Sequence, residues 1–368
     1  MKRVAVIMGK MHSGGKKNLV MEYYRHIDRS KYQFDFICDD DSNAIPDKEI
    51  EALGGRVYRV TSYKKIWMHM RDLDKIFRQN KYEIMHAYNN TMNLFPLLVA
   101  KKHNVKVRIS ESISTGNKGE KQTYIKYILR ILSSYGTNYL MANGKESALF
   151  QFGRKKYNKG EVSIFKTVID ARAKAYNSVL RAKIRKEMDW EDKIVLGFIA
   201  RFVPQKNPIF LIEVFQEIHK KEPHAVLAII GFGPLEDKIQ QKIKDYHLED
   251  YVCLVGQTED IYPYYNAFDG FLLPSLYEGL PVVGVEAQAV GLPTIMSTAV
   301  TEETTACELA HYISLSTPTS IWADQILAYV KENMPKRRSY VEELIAAGFD
   351  SHEEAIRLQK FYDVALNA

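Results

Sequence analysis

The chain has 368 residues, 46% hydrophobic and 26% charged, with a formal net charge of +6; this is more than one hydrophobic core usually supports, and two domains are expected. No apolar run approaches the ~20 residues that span a bilayer, and the N-terminus lacks the long apolar region of a signal peptide. The three cysteines, Cys38, Cys253 and Cys307, are isolated, which argues against a disulfide framework or a zinc cluster and for a reducing, cytoplasmic setting.

Strand-length apolar runs fall at residues 4–7, 34–38, 57–60, 84–86, 107–109, 139–142 and 162–165, with helical stretches between them. One such helix is 66–79, where Trp67, Met70, Leu73, Ile76 and Phe77 are placed on one apolar face. Alternation of this kind predicts a parallel sheet covered by helices on both sides. The first strand runs into Met8-Gly9-Lys10-Met11-His12-Ser13-Gly14-Gly15 and a helix beginning near Lys16. Glycines in such a turn let backbone N–H groups approach a phosphate or sugar at a helix N-terminus, although the loop is neither GxGxxG nor a Walker A sequence. Asp39-Asp40-Asp41 follows the second strand and is read as a solvated loop, not as a metal-binding DxD motif. His86 closes the fourth strand and is a candidate for a cleft. Residues 124–132 interleave Tyr, Ile and Leu with Lys126 and Arg130, a candidate surface for anionic lipid. Residues 1–165 carry 30 Lys and Arg against 16 Asp and Glu, a net +14, whereas the remainder nets −8. Halves of opposite sign point to domains with different partners.

After 166–170, read as a linker, the rhythm restarts. Helix is expected over 175–187, 208–221 and 234–246, and strand over 194–198, 225–230, 252–255, 270–273 and 294–296. A final helix over 351–365 has no strand after it. Two consecutive sheets of this type are expected to face a central cleft at their strand C-termini, where open α/β sheets bind ligands. The second domain opens with Gly197-Phe198-Ile199-Ala200-Arg201 and continues to Lys206 and Pro208, placing two cations on one loop, a composition suited to a diphosphate. Pro274-Ser275-Leu276-Tyr277-Glu278-Gly279-Leu280-Pro281 then leads into a helix carrying Glu286 among Val282, Val283, Val285 and Ala287. A glutamate in so apolar a helix needs a hydrogen-bond partner, which a ribose diol can be.

Glu278 and Glu286 form an E-x7-E motif. With Arg201, Lys206, Gly14-Gly15 and the Gly231-Phe232-Gly233-Pro234 turn, the chain resembles glycosyltransferase family 4, the retaining enzymes of GT-B fold that include bacterial capsule and exopolysaccharide transferases. The resemblance covers essentially the whole chain. It implies an N-terminal Rossmann-like acceptor domain over 1–167, completed by 351–368, and a nucleotide-sugar domain over 168–350. It also implies that Glu278, Arg201 and Lys206 serve catalysis, and that Glu286, Gly14, Gly15, Gly279, Leu280, Gly231 and Ser275 serve donor binding. Many relatives place a histidine after the fifth strand; here Glu111 stands in its position. The expected partners are a nucleotide sugar, UDP-linked, a saccharide or lipid-linked acceptor and an anionic membrane surface at the cytoplasmic face, with no cofactor, no metal and no nucleic acid. Two other readings are a nucleotide-sugar 2-epimerase on the same fold and a non-catalytic subunit that binds the nucleotide sugar.

Overall fold

A computed structural model describes residues 1–12, 14–113, 129, 132, 135–258 and 260–368. It divides into two compact units, Met1–Val168 with Ser351–Ala368, and Ile169–Asp350.

Unit 1 holds a seven-stranded parallel sheet in the order β3-β2-β1-β4-β5-β6-β7. The strands are β1 Lys2–Gly9, β2 Tyr32–Asp39, β3 Arg56–Val60, β4 Ile84–Ala87, β5 Val107–Ser112, β6 Tyr139–Ala142 and β7 Val162–Ile164. β1 and β2 are buried along nearly their whole length, as strands covered on both faces must be. One face of the sheet packs on helix Gly15–His26 and on the C-terminal helix Ser351–Asn367, with Val4, Val6, Phe34, Phe36, Leu358 and Tyr362 in a shared core. The opposite face is closed by helices Ile66–Gln79 and Leu94–Lys102. In the first of these, the expected apolar face is corrected at its start. Trp67 is 82% exposed, and His69 takes the inward position, its Nδ1 donating to the Thr61 carbonyl at 2.7 Å. Leu73, Ile76 and Phe77 fix the helix's rotation by their burial, and Trp67 lies outside the arc they define.

Unit 2 holds a six-stranded parallel sheet in the order β10-β9-β8-β11-β12-β13. Its strands are β8 Ile194–Ile199, β9 Ala225–Ile230, β10 Val252–Gly256, β11 Gly270–Leu273, β12 Thr294–Ser297 and β13 Ala310–Ile313. Two apolar layers, one around Phe215 and Trp322 and the other around Phe268 and Phe271, cover its faces. The helix expected over 208–221 is observed as Pro208–Lys221, whereas the other two expected in this unit are shorter than their sequence patterns. Ser178–Glu187 starts at the side-chain cap Asn177, which accepts from the Leu180 N–H at 2.9 Å, and Glu236–Asp245 starts two residues after Pro234. β13 escapes a periodicity reading because its sequence, Ala-His-Tyr-Ile, shows no clear apolar alternation.

Each sheet reverses its strand order once on either side of a central pair, β1/β4 in unit 1 and β8/β11 in unit 2. Loops leaving the carboxyl ends of such a pair diverge and leave a crevice. Gly14, Arg201, Lys206, Ser275 and Glu278 lie on segments that follow these strands.

Candidate functional site

In unit 2, the loops that follow β8 and β11 are joined by the Leu276 N–H, which donates to the Gln205 carbonyl at 2.8 Å. This brings Lys206 to Glu278, whose Oε1 accepts from the Lys206 ammonium and from Ser275 Oγ at 2.9 Å. Gln205 Nε2 reaches Glu278 Oε2 at 3.3 Å and the Tyr277 carbonyl at 3.0 Å. Ser275 is itself fully buried, its carbonyl accepting from Ser297 Oγ on β12. The Glu278 carboxylate is therefore held by an ammonium, a hydroxyl and an amide, with a side-chain exposure of only 8%. Such charge-assisted bonds fix a carboxylate in place. Arg201 differs: its side chain is exposed and makes no hydrogen bond or ion pair with a described residue.

The Gly231-Phe232-Gly233 turn follows β9 and lies directly against the Arg201 loop. Phe202 N–H donates to the Phe232 carbonyl at 2.8 Å, and Leu235 N–H to the Phe202 carbonyl at 3.1 Å. Gly231 has φ +142°, and a Cβ there would stand 1.9 Å from the Ala200 carbonyl oxygen. Only glycine lets the two backbones approach so closely. Gly279 faces open space, while Leu280 packs on the apolar cluster around Val285 and Ala289.

Glu286 sits in helix Val282–Ala289 and accepts from the hydroxyl of Tyr265 at 3.1 Å. Tyr265 is fully buried, and burial together with the Glu286 charge pushes its phenol well above the ordinary value, so it remains a donor. Sequence reasoning missed this tyrosine, because it lies 21 residues upstream in another helix, Tyr262–Ala267, with no motif around it. Gln205 was missed for a different reason: its neighbours Arg201 and Lys206 drew the attention, while its amide supplies the geometry.

In unit 1, the loops after β1 and β4 meet in the same topological position. A Cβ on Gly9 would collide with the Asn89 side chain at 1.9 Å. Lys16, in the first turn of its helix, points back under the loop and donates to the Met8 carbonyl and to Asn89 Oδ1 at 3.2 Å. Burial lowers the Lys16 ammonium from the usual 10.5 to about 8. Gly14 and Gly15 are exposed, with no atom within 4 Å of an added Cβ; Gly14, at φ +142°, caps the helix without a side-chain bond.

Two candidates are corrected. His86 and Glu111 do not line an open cleft; they are 0% and 2% exposed and bond each other inside unit 1. His86 Nε2 donates to Glu111 Oε2 at 2.8 Å, and its Nδ1 accepts from Tyr362 Oη at 2.8 Å, with Tyr88 Oη at 3.2 Å. Tyr362 belongs to the C-terminal helix, so this polar cluster ties that helix to the sheet. The physical reason is register: β4 and β5 turn both side chains to the face that the helix covers. Asp39 likewise departs from the solvated reading. It ends β2 fully buried, 3.8 Å from His69 Nδ1, and burial raises its carboxyl. Asp40 accepts from the Ser62 N–H at 3.0 Å, and Asp41 pairs with Lys10 at 2.9 Å. The triplet thus closes the β2 and β3 loops. Among the described residues, no group of three or more His, Cys, Asp or Glu is placed to hold a metal ion. The basic stretch 124–132 lies outside the described residues, save Leu129 and Leu132.

Residues 181–342, all within unit 2, match the family described as glycosyl transferases group 1. Over 372 aligned positions the chain is 32% identical to EpsF of Bacillus subtilis, named as a glycosyltransferase, covering 99% of this chain and 97% of that one. The chain belongs to the group 1 glycosyl transferases. Its activity is glycosyl transfer, and its two parallel-sheet units are those of the GT-B fold. Another relative of this transferase, 26% identical over 61% of this chain and 60% of its own, is the Escherichia coli UDP-Gal:alpha-D-GlcNAc-diphosphoundecaprenol alpha-1,3-galactosyltransferase. The fold is shared with Anabaena HepE, solved in complex with UDP and glucose, at a TM-score of 0.79 and 15% identity over 99% of this chain and all of that one.

Proposed function

We propose that this transferase moves a hexosyl unit, with retention, from a UDP-linked donor to a lipid-linked saccharide in the synthesis of a surface polysaccharide. The observation that carries the reading is the Lys206–Glu278–Ser275 cluster at the β8/β11 loops, with the exposed Arg201 guanidinium on the same loop as Lys206. Without a ligand, Lys206 is neutralised by Glu278. A donor diphosphate arriving beside Arg201 competes for that ammonium and leaves Glu278 to accept from hydroxyls of the sugar. As the glycosidic bond to the diphosphate breaks, charge grows on the leaving oxygen, and cations already in position stabilise it without reorganisation. Glu286, which accepts from Tyr265, is assigned to the ribose diol. Unit 1 is assigned the acceptor, with its Gly14-Gly15 loop reaching the donor. The pairing of cations with carboxylates here supports a reaction that needs no metal. The choice of a UDP-linked donor and a diphospholipid acceptor is supported by the Escherichia coli galactosyltransferase, named for both, and that of UDP also by HepE, solved with UDP.

The deciding experiment is a thermal-shift and hydrolysis screen of the purified protein against UDP-, GDP- and dTDP-sugars. UDP-hexoses should stabilise the protein and be hydrolysed slowly without acceptor. Stabilisation by GDP- or dTDP-sugars alone would overturn the donor assignment.

A further inference from the structure

The chain has three tryptophans, and two of them, Trp190 and Trp322, are 3% and 1% exposed. Trp67 is 82% exposed, on the first turn of helix Ile66–Gln79. Beside it, Met68 is 43% and Tyr63 38% exposed. An indole this open gains nothing for the fold; Leu73, Ile76 and Phe77 hold the helix without it.

The charges around it are mostly positive. Lys64, Lys65, Arg71, Lys75 and Arg78 are all exposed on this turn and along the outer face of the helix. The acidic groups nearby are already engaged. Asp72 accepts from the Thr61 N–H at 3.0 Å and hydroxyl at 2.6 Å. Asp74 is shared by Arg78, Lys102 and His103 at 2.6 to 2.8 Å. Asp40 accepts from Ser62, and Asp41 pairs with Lys10 and lies 3.6 Å from Lys64. The outer face therefore presents an excess of cations and a wedge of aromatic and thioether side chains. Indole and phenol rings favour the boundary between headgroups and acyl chains, and lysines beside them favour anionic headgroups.

We propose that residues 63–75 form a docking surface for an anionic lipid bilayer, with Trp67 and Met68 entering the interface and Lys64, Lys65, Arg71 and Lys75 lying along the headgroups. The surface follows β3, at the carboxyl edge of the unit 1 sheet. Lys10, at the start of the glycine loop, and Lys64 approach the same Asp41 oxygen, at 2.9 and 3.6 Å. The bilayer would therefore run beside the glycine loop of the unit assigned to the acceptor, which gives docking its use if the acceptor is lipid-linked as proposed above.

Docking is measured without any sugar, so its failure is distinct from failure of the transferase reading. The full chain is mixed with vesicles of phosphatidylcholine alone or with phosphatidylglycerol, and binding is read by flotation and tryptophan emission. Since Trp190 and Trp322 are already buried, a blue shift on binding reports Trp67. Phosphatidylglycerol vesicles should bind the protein and shift its emission, and phosphatidylcholine vesicles should bind far less. Lys64→Ala with Lys65→Ala should lower partitioning on the order of 25-fold at low salt, about fivefold per lysine. Trp67→Ala should lower it about tenfold or more with an unchanged melting temperature. Trp67→Phe should keep most of the binding and lose the shift. Equal binding to both vesicle types, no binding, or binding without an emission shift would each overturn the proposal. If Trp67→Ala left vesicle binding intact, the patch would belong to a protein partner instead.

Discussion

Removing His86 or Glu111 separates a structural role from a catalytic one. His86→Ala leaves a buried carboxylate with neither oxygen paired to a described residue, because among the described residues Glu111 Oε1 already lacks a partner and Oε2 loses its donor. Breaking a buried pair in this way costs about 3–5 kcal/mol. Glu111→Ala is milder. It leaves the imidazole with Nδ1 still bonded to the tyrosines, so one unpaired N–H costs about 1–3 kcal/mol. For a unit of this size each kcal/mol lowers the melting temperature by roughly 2–4 °C. His86→Ala should thus lose roughly 6–20 °C, and Glu111→Ala roughly a third to a half of that. The double variant should be less destabilised than the sum, with a coupling of about 1–3 kcal/mol. Calorimetry gives these values, and donor hydrolysis, measured where every variant is folded, gives the functional counterpart. A Glu111→Ala protein that melts like the wild type but has lost turnover a hundredfold would refute the buried-pair argument and return Glu111 to the reaction.

Four further outcomes follow from the geometry. Lys206→Ala should reduce kcat by roughly 10²- to 10³-fold with the fold intact; near wild-type turnover would remove Lys206 from the leaving-group site. Glu286→Gln should weaken UDP as well as the UDP-sugar by calorimetry, whereas Glu278→Gln should chiefly impair turnover; unchanged UDP affinity in Glu286→Gln would contradict the ribose assignment. Turnover should survive EDTA, and loss restored by Mn²⁺ would defeat the cation-only account. Lys16 is a base whose value falls from 10.5 to about 8 on folding, so between those pH values the unfolded chain binds the extra proton and its penalty on stability shrinks as pH rises. Lys16→Met should accordingly be more stable than wild type near pH 7, with the difference narrowing from pH 8 to 10.5; a gap independent of pH would show that the ammonium is solvated.

Both sheets and the E-x7-E segment were legible because buried parallel strands read as continuous apolar runs, and because Gly231 and Glu278 sit in turns with strong local chemistry. What stayed hidden was rotation and register. Trp67 and Met70 fit the apolar count of a helix as well as His69 does not, yet the side chain with a carbonyl to bond went inward and the indole went out. Glu111 occupies the position of an expected site residue, but the covering helix that buries it comes from a segment 240 residues later, starting at Ser351. Tyr265 and Gln205 act by reaching across loops, and no spacing in the chain marks them.

The closing helix also bears on how the protein is made. Residues leave the ribosome in chain order, so Met1–Val168 emerges first but lacks Leu358 and Tyr362, both part of its core, until the final turns of Ser351–Asn367 are released. Ile169–Asp350 contains its own sheet and apolar layers and has everything it needs earlier. The second unit should therefore reach its native state first during synthesis, with the earlier-made half waiting, open on the His86 side, for the last segment. A chain stalled or cut before Ser351 would present the apolar face around Val4, Val6 and Phe34 to chaperones.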